Sequence, residues 1–325
     1  MWEHDLQTNF RKRESVYLAS LFEEPIFSEL GLKIIAGFQG IRREIFTADV
    51  NRPGLALTGY LEYFANDRIQ VLGNTEIHYI ERLTPSEIEN RLQYMFSFEI
   101  PAFLLSRSLV PPQIFLDLCN RHGVPVLQSN STTDQVISKT ILFLAEKFAP
   151  ETTIHGTAID CFGIGVIIVG ESGIGKSETA LELVERGHRL VVDDVVRLRK
   201  GFGDVVIAES SPQLEHYMHI RGIGVVDVLS VYGAGRIRRR KQVGLIIELV
   251  EKMEDYHIII DEWPVKQLLD VRVPYLKVPV GPGRNLAVIV EAAALKCRMR
   301  ELGVDIDLRF AELSKQASSK RPNVK

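Results

Sequence analysis

One stretch, Phe162 to Asp194, restricts this chain more than any other. It reads F-G-I-G-V-I-I-V, then G-E-S-G-I-G-K-S, then E-T-A-L-E-L-V-E-R-G-H and finally R-L-V-V-D-D. Val166, Ile167, Ile168 and Val169 form an unbroken β-branched run, the pattern of a strand covered on both faces. After the glycines, Ala180, Leu181 and Val184 recur at helical spacing, and Gly187 stands where a helix end takes a left-handed residue. Strand, glycine loop and helix in that order are the context a phosphate-binding loop requires.

The octapeptide Gly170, Glu171, Ser172, Gly173, Ile174, Gly175, Lys176, Ser177 meets the pattern G-x-x-x-x-G-K-[ST] at every defined position. Its glycines let the backbone curl with N–H groups pointing inward, where side chains would block a phosphate. A helix starting at Lys176 and Ser177 adds unpaired N–H donors and partial positive charge. Lys176 supplies the cation for the outer phosphates, and the Ser177 hydroxyl suits Mg²⁺. The expected ligand is a nucleoside triphosphate or a similar polyphosphate. An ordinary Gly-rich turn is the competing reading, and the agreement of loop and flanks disfavours it.

A chain of 325 residues is long for one domain. Pro150 to Thr153 is the expected boundary, giving domains 1–149 and 150–325. A formal charge of −3 gives no global attraction to nucleic acid or to an anionic membrane. Cys119, Cys161 and Cys297 are scattered without C-x-x-C spacing, so neither a zinc site nor a disulfide framework is expected. The N-terminus does not read as a signal peptide, and no apolar run approaches the roughly 18 residues of a membrane span. Reducing cytoplasm is the expected compartment.

Before the boundary, strands are expected near Val16–Leu21, at Arg68–Leu72 as a half-buried alternation, at Glu76–Ile80, at Ala102–Leu105 and at Val124–Leu127, and an apolar Ile34-Ile35-Ala36-Gly37 precedes a polar turn. Thr84-Pro85-Ser86-Glu87 reads as a capping box opening a helix to about Tyr94. A second helix runs from Pro111 to His122 and stops at Gly123. A third opens at Thr132 with Gln135 and carries a stripe of Ile137, Ile141, Leu144 and Phe148. Strands alternating with helices make this half an α/β domain. After the boundary, strands are expected at Thr157–Asp160, Val205–Ala208, within His216–Val228, at Leu245–Val250 and at Leu276–Val280. A long helix follows from Leu286 to about Leu302, capped by Asn285 and closed by Gly303, with a shorter one from Asp307.

Asp193 and Asp194 follow the strand-like R-L-V-V, where carboxylates can hold Mg²⁺ or take a proton from a hydroxyl; a turn or helix cap is the plain alternative. His155 is a lone histidine upstream of the loop strand. Arg236 to Lys241 is a basic run, either a grip on an acidic partner or a solvated loop. Pro279, Val280, Gly281, Pro282, Gly283 and Arg284 form a stiff loop that either delivers Arg284 to a phosphate or enters the next helix.

His155-Gly156, the Gly170–Asp194 stretch, I-R-G-I-G-V-V-D-V from Ile220, P-G-R-N-L-A from Pro282, and Asn51–Gly59 with Arg68–Glu76 together resemble the HPr kinase/phosphorylase family, from about Leu30 to Leu302. The resemblance implies two domains, an N-terminal α/β domain and a P-loop kinase domain of phosphoenolpyruvate-carboxykinase-like fold with C-terminal helices. It implies ATP- and Mg²⁺-dependent phosphorylation of a serine in the phosphocarrier protein HPr, with phosphorolytic reversal involving inorganic phosphate or pyrophosphate. It also implies a homohexamer, with which a long apolar C-terminal helix is compatible. Position by position, it makes His155, Lys176 and Asp194 catalytic and Ser177 a magnesium ligand. It makes Arg221 and Gly222 part of a signature segment, and Pro279–Arg284 the loop associated with dephosphorylation.

Two departures follow. The family's E-I-R-G glutamate, a magnesium ligand, is His219 here; imidazole brings no negative charge, so metal affinity should fall unless Asp193 compensates. The family's catalytic arginine has no counterpart, since no arginine lies between Arg240 and Arg272; Arg238, Arg239 or Arg240 is the candidate substitute. The alternative expectation is therefore a catalytically weakened, nucleotide-binding regulatory homologue.

Overall fold

The computed structural model describes residues 11–210, 215–251 and 263–304, with Ile306 and Arg309. The described residues fall into two compact units, Lys12–Ala149 and a second from Pro150 onward that includes Arg11.

The first unit is an α/β layer structure. Its sheet contains β1 (Lys33–Ala36), β2 (Val50–Asn51), β3 (Ile69–Leu72), β4 (Phe103–Leu105) and β5 (Val126–Gln128), in the order β1-β5-β4-β3-β2. All pairs are parallel except β1 with β5. Helices α1 (Asn74–Glu81), α2 (Pro85–Met95) and α3 (Gln113–His122) build one core with Leu72, Phe103 and Leu105. Helix α4 (Thr133–Phe148) covers the other face over Ile69, Val71 and Leu104.

Capping signals translate directly: Thr84 and Thr132 accept the N–H of Glu87 and Gln135, and Gly123 ends α3 at φ 61°. Other expectations change. Strand β3 does not alternate; all four residues are buried, because helices lie on both faces. Gln70 survives there because its amide donates to Ala65 and Arg68 carbonyls at 2.8 and 2.6 Å and accepts from Asn51. Val16–Leu21 forms only a two-residue strand before a 3₁₀ turn, Leu18–Phe22, which sets Leu18 and Leu21 on one buried side. On α4 Leu144 is buried as expected and Ile137 and Phe148 pack half-buried on the same core, while Val136 and Thr140 complete the buried line in place of Ile137 and Ile141.

Glu76–Ile80 is helix, not strand. The Glu76 carboxylate accepts the Gly73 N–H at 2.9 Å and pairs with Arg52 at 2.8 Å, closing the first turn of α1. Ile77 and Ile80 then share one buried side. Glu76→Ala is expected to cost the unit about 2 kcal/mol, because it removes the cap and orphans a partner of a buried carboxylate. A lower urea midpoint at unchanged slope would register this.

In the second unit the strands are β6 (Glu151–His155), β7 (Thr157–Cys161), β8 (Ile164–Gly170), β9 (Arg189–Val192), β10 (Val195–Gly201), β11 (Val205–Glu209), β12 (Tyr217–Ile220), β13 (Gly224–Asp227), β14 (Arg240–Val250), β15 (Val265–Leu268) and β16 (Val271–Pro279). The main sheet runs β9-β7-β8-β14-β11-β10-β6, with β16 beside the C-terminal half of β14 and β15 on β16. Only β8–β14 and β14–β16 are parallel. Strands β12 and β13 form a separate antiparallel hairpin.

On one face, Val166, Ile168, Leu245, Ile247 and Leu249 pack under helices α5 (Lys176–Glu185) and α6 (Leu286–Glu301). On the other, Ile167, Val169 and Ile246 meet Val191, Val196, Leu198 and Val206 from the sheet's own outer strands. Burial on both sides explains the unbroken apolar run of β8. Helix α5 ends as the sequence implies, with Gly187 at φ 118° and the His188 N–H reaching the Leu183 carbonyl. Asn285 caps α6 by accepting the Val288 N–H at 2.9 Å, and Gly303 follows at φ 80°. Of the helix expected from Asp307, only Arg309 is among the described residues.

The basic run is not one loop. Arg236 ends a 3₁₀ turn, whereas Arg240 and Lys241 open β14. Arg238 holds Asp160 at 2.9 Å and Arg239 holds Glu215 at 3.5 Å. Asp160 pairs with Gly165, five residues before Gly170 on β8, hence roughly 16 Å from the phosphate loop along the strand. Arg238 is therefore at the wrong end of the sheet to take the role of the arginine that the resemblance implies.

Candidate active site

The loop between β8 and α5 carries the geometry its residues imply. Gly173 and Gly175 take φ of 80° and 103°, where side chains are strained. A Cβ at Gly175 would have nothing within 4 Å, so the inner wall of the loop stays open. The Lys176 ammonium donates to the Gly170 and Glu171 carbonyls at 3.1 and 2.8 Å. Burial pulls its pKa down, and Asp193, Asp194 and Glu178 oppose that by favouring the charged form.

Across the loop lies the β9–β10 turn. Its two carboxylates diverge. Asp193 is buried, and Oδ1 accepts the hydroxyls of Thr157 at 2.6 Å and Ser177 at 3.0 Å. Its Oδ2 accepts the main-chain N–H of His219 at 3.2 Å. Asp194 adopts φ 69°, a left-handed conformation that aspartate tolerates better than most side chains. That conformation swings its side chain outward, 79% exposed, with Oδ1 3.8 Å from His155 Nδ1. Its carbonyl accepts the Gly156 N–H at 3.0 Å, which ties the turn to the end of β6.

Lys176, Ser177, Asp193, Asp194, His219 and Arg221 line one cavity of about 280 Å³ with Thr157, Ser172, Gly173, Gly175 and Glu178. Two cations thus face a cluster of carboxylates around an open loop, a setting suited to moving a charged group. His155 stands outside this lining and meets it through Asp194. Gly222 sits in the hairpin turn at φ 82°. Pro279–Arg284 does not line the cavity. It leaves the same sheet edge, since Gly170 lies beside Leu249 and Leu249 beside Val278, a lateral offset of roughly 10 Å.

For a magnesium ion, the donor set is informative. Ser177 Oγ and the Asp193 carboxylate place hard oxygens together, as Mg²⁺ prefers, and Mg²⁺ ordinarily completes its shell with water and phosphate. Among the described residues no group of three or more His, Cys, Asp and Glu side chains gathers to hold a metal. His219 reaches Asp193 with its backbone rather than its ring. Thr157 escaped sequence reading altogether: nothing in the sequence marks a threonine 36 positions before its partner.

A mixed sheet under helices, with a phosphate loop opposed by a carboxylate pair, defines a P-loop α/β protein of the phosphoryl-transfer class. The family can be given more closely. Residues 18–144 match the model described as HPr Serine kinase N terminus, and residues 146–314 match HPr Serine kinase C-terminal domain. The chain belongs to the HPr serine kinase family.

Among its relatives, HPr kinase/phosphorylase 1 of Oceanobacillus iheyensis is 41% identical over 292 residues, covering 89% of this chain and 94% of that protein. The HPr kinase/phosphorylase of Bacillus subtilis is 38% identical over 295 residues, covering 90% and 95%. The solved structure of the HPr(Ser) kinase/phosphatase from Coxiella burnetii is 34% identical, covers 49% of this chain and 97% of its own, and superposes with a TM-score of 0.44.

Proposed function

We propose that this chain transfers the γ-phosphoryl group of ATP to a serine of the phosphocarrier protein HPr and reverses the transfer with inorganic phosphate. The observation that carries this reading is the placement of Lys176 and Asp194 on one cavity, cation on the donor side and exposed carboxylate on the acceptor side.

In the forward direction Lys176 and the loop N–H groups hold the outer phosphates. Asp194 accepts the serine proton as the serine oxygen bonds to the γ-phosphorus and the bond to the departing ADP oxygen breaks. His155, 3.8 Å away, orients that carboxylate. In reverse, a phosphate oxygen bonds to the phosphoserine phosphorus, the serine oxygen leaves, and the Asp194 carboxyl returns its proton; pyrophosphate is the product. Ser177 and Asp193 are the residues that would hold Mg²⁺, which neutralises charge on the phosphates when bound. Arg221 lines the same cavity and suits a phosphate oxygen, while Pro279–Arg284 serves the reverse reaction from the adjoining strand end.

No helix among the described residues is long and apolar enough to cross a membrane. Cytoplasmic location and assembly as a homohexamer belong to the same proposal, the latter open to sedimentation analysis. Purified chain with ATP, Mg²⁺ and HPr should yield phosphoserine, and phosphoserine-HPr with phosphate should yield pyrophosphate. Absence of both across a wide Mg²⁺ range would remove the proposal.

A second reading, a nucleotide-binding regulator with weakened catalysis, is favoured by His219 on the cavity wall and by the distance of Arg238 from the loop. ATP binding without transfer would establish it. His219→Glu supplies a carboxylate at the cavity and should lower the Mg²⁺ concentration for half-maximal activity roughly tenfold. An unchanged Mg²⁺ titration would show that this position does not face the metal.

A further inference from the structure

Thr157 is fully buried on β7, and its hydroxyl donates to Asp193 Oδ1 at 2.6 Å. The same oxygen accepts the Ser177 hydroxyl at 3.0 Å, and Oδ2 accepts the His219 N–H at 3.2 Å. A carboxylate that is 5% exposed is costly unless donors meet it. Here the donors come from three separate elements: β7, the start of α5 and the β12 strand of the hairpin.

We propose that Thr157 is a positioning residue of the phosphate site, holding Asp193 so that the Ser177 hydroxyl keeps its lone pairs turned toward the metal–nucleotide ligand. This rests on the nucleotide reading given above. The Ser177 hydroxyl has one proton and two lone pairs. With the proton committed to Asp193, both lone pairs are left to meet a cation; with the hydroxyl turned round, its proton would oppose the cation. Asp193 selects the first state only while its own plane stays fixed, and the terminal torsion of aspartate is broad. Thr157 supplies the shorter of the two bonds to Oδ1 and removes that freedom. Thr157 and Ser177 meet on the one oxygen Oδ1, so Thr157 acts on the ligand through Asp193 and Ser177.

Valine has nearly the shape of threonine without the donor, which makes Thr157→Val the informative variant, with Thr157→Ser as the conservative control. ATP affinity of the full chain, measured by calorimetry in EDTA and again in Mg²⁺, separates the two contributions. Thr157→Val should raise the Kd for ATP in Mg²⁺ about tenfold. It should leave the Kd in EDTA within roughly twofold and lower the melting temperature modestly, a fall that Thr157→Ser should also reverse. Thr157→Ser should restore the Mg²⁺ value. Adding Thr157→Val to Ser177→Ala should cost nothing further, because both act through one oxygen.

Equal losses in EDTA and Mg²⁺, no loss in either, or a serine variant that fails to rescue would each overturn the assignment. A wild-type chain that binds no ATP would overturn the nucleotide reading itself, and the Thr157 role with it. Wild-type binding strengthened by Mg²⁺ alongside a silent valine variant would overturn only the latter.

Discussion

Lys176→Ala is expected to reduce kcat/KM for phosphoryl transfer by about 10³-fold, roughly 4 kcal/mol of lost transition-state stabilisation. The ammonium is tethered by two carbonyls of its own loop, at 3.1 and 2.8 Å, and is therefore aimed at the cavity before any ligand enters. Burial disfavours its charge, and the neighbouring carboxylates restore it. A cation held in this way is worth far more to developing charge than one in water, since no reorganisation is needed at the moment of transfer. The fold should tolerate the change, because Lys176 is only half-buried and the Glu171 carbonyl contact it gives up is exposed. Single-turnover rates with the melting temperature measured in parallel test both halves of the statement. A variant that transfers within tenfold of wild type would place the donor-side cation elsewhere, with Arg221 the next residue to examine.

Asp194→Asn should lower the forward and reverse rates together by about 10³-fold, in the range for removal of a positioned proton acceptor, while leaving ATP affinity near wild type. Asparagine is the appropriate replacement. It keeps the shape and tolerates the left-handed φ of 69°, whereas alanine would add backbone strain to the chemical loss. Asp193→Asn should behave differently, because Asp193 is buried among three donors and its amide analogue would face one of them with a second donor. That variant should weaken stability and Mg²⁺-dependent ATP binding as well as rate. If Asp194→Asn retained turnover and Asp193→Asn lost only chemistry, the two carboxylates would have to exchange roles.

Much of the site was legible in the sequence because it is local. Gly170 to Ser177 is a run of eight whose function is written in its own backbone, and its flanking strand and helix show their periods directly. Thr84, Thr132, Asn285 and Gly123 punctuate helices through contacts within a single turn. Where local signals conflict, sequence reading fails. Glu76–Ile80 alternates like a strand, yet a cap to Gly73 and a pairing with Arg52 decide for helix. Arg238 looked available for a phosphate and is committed to Asp160 at the other end of β8.

By itself, then, the sequence determined that a phosphate loop sits between a doubly covered strand and a helix, that two carboxylates follow the next strand, and which family the motifs resemble. Tertiary structure decided what each carboxylate does. Asp193 turns inward because Thr157 and His219 are brought to it across 36 and 26 residues of chain by strand pairing and by the hairpin. Asp194 turns outward because the tight turn between β9 and β10 leaves it a left-handed backbone. Adjacent residues of one type are indistinguishable by pattern; only the elements packed around them make one a buried, hydrogen-bonded carboxylate and the other an exposed one.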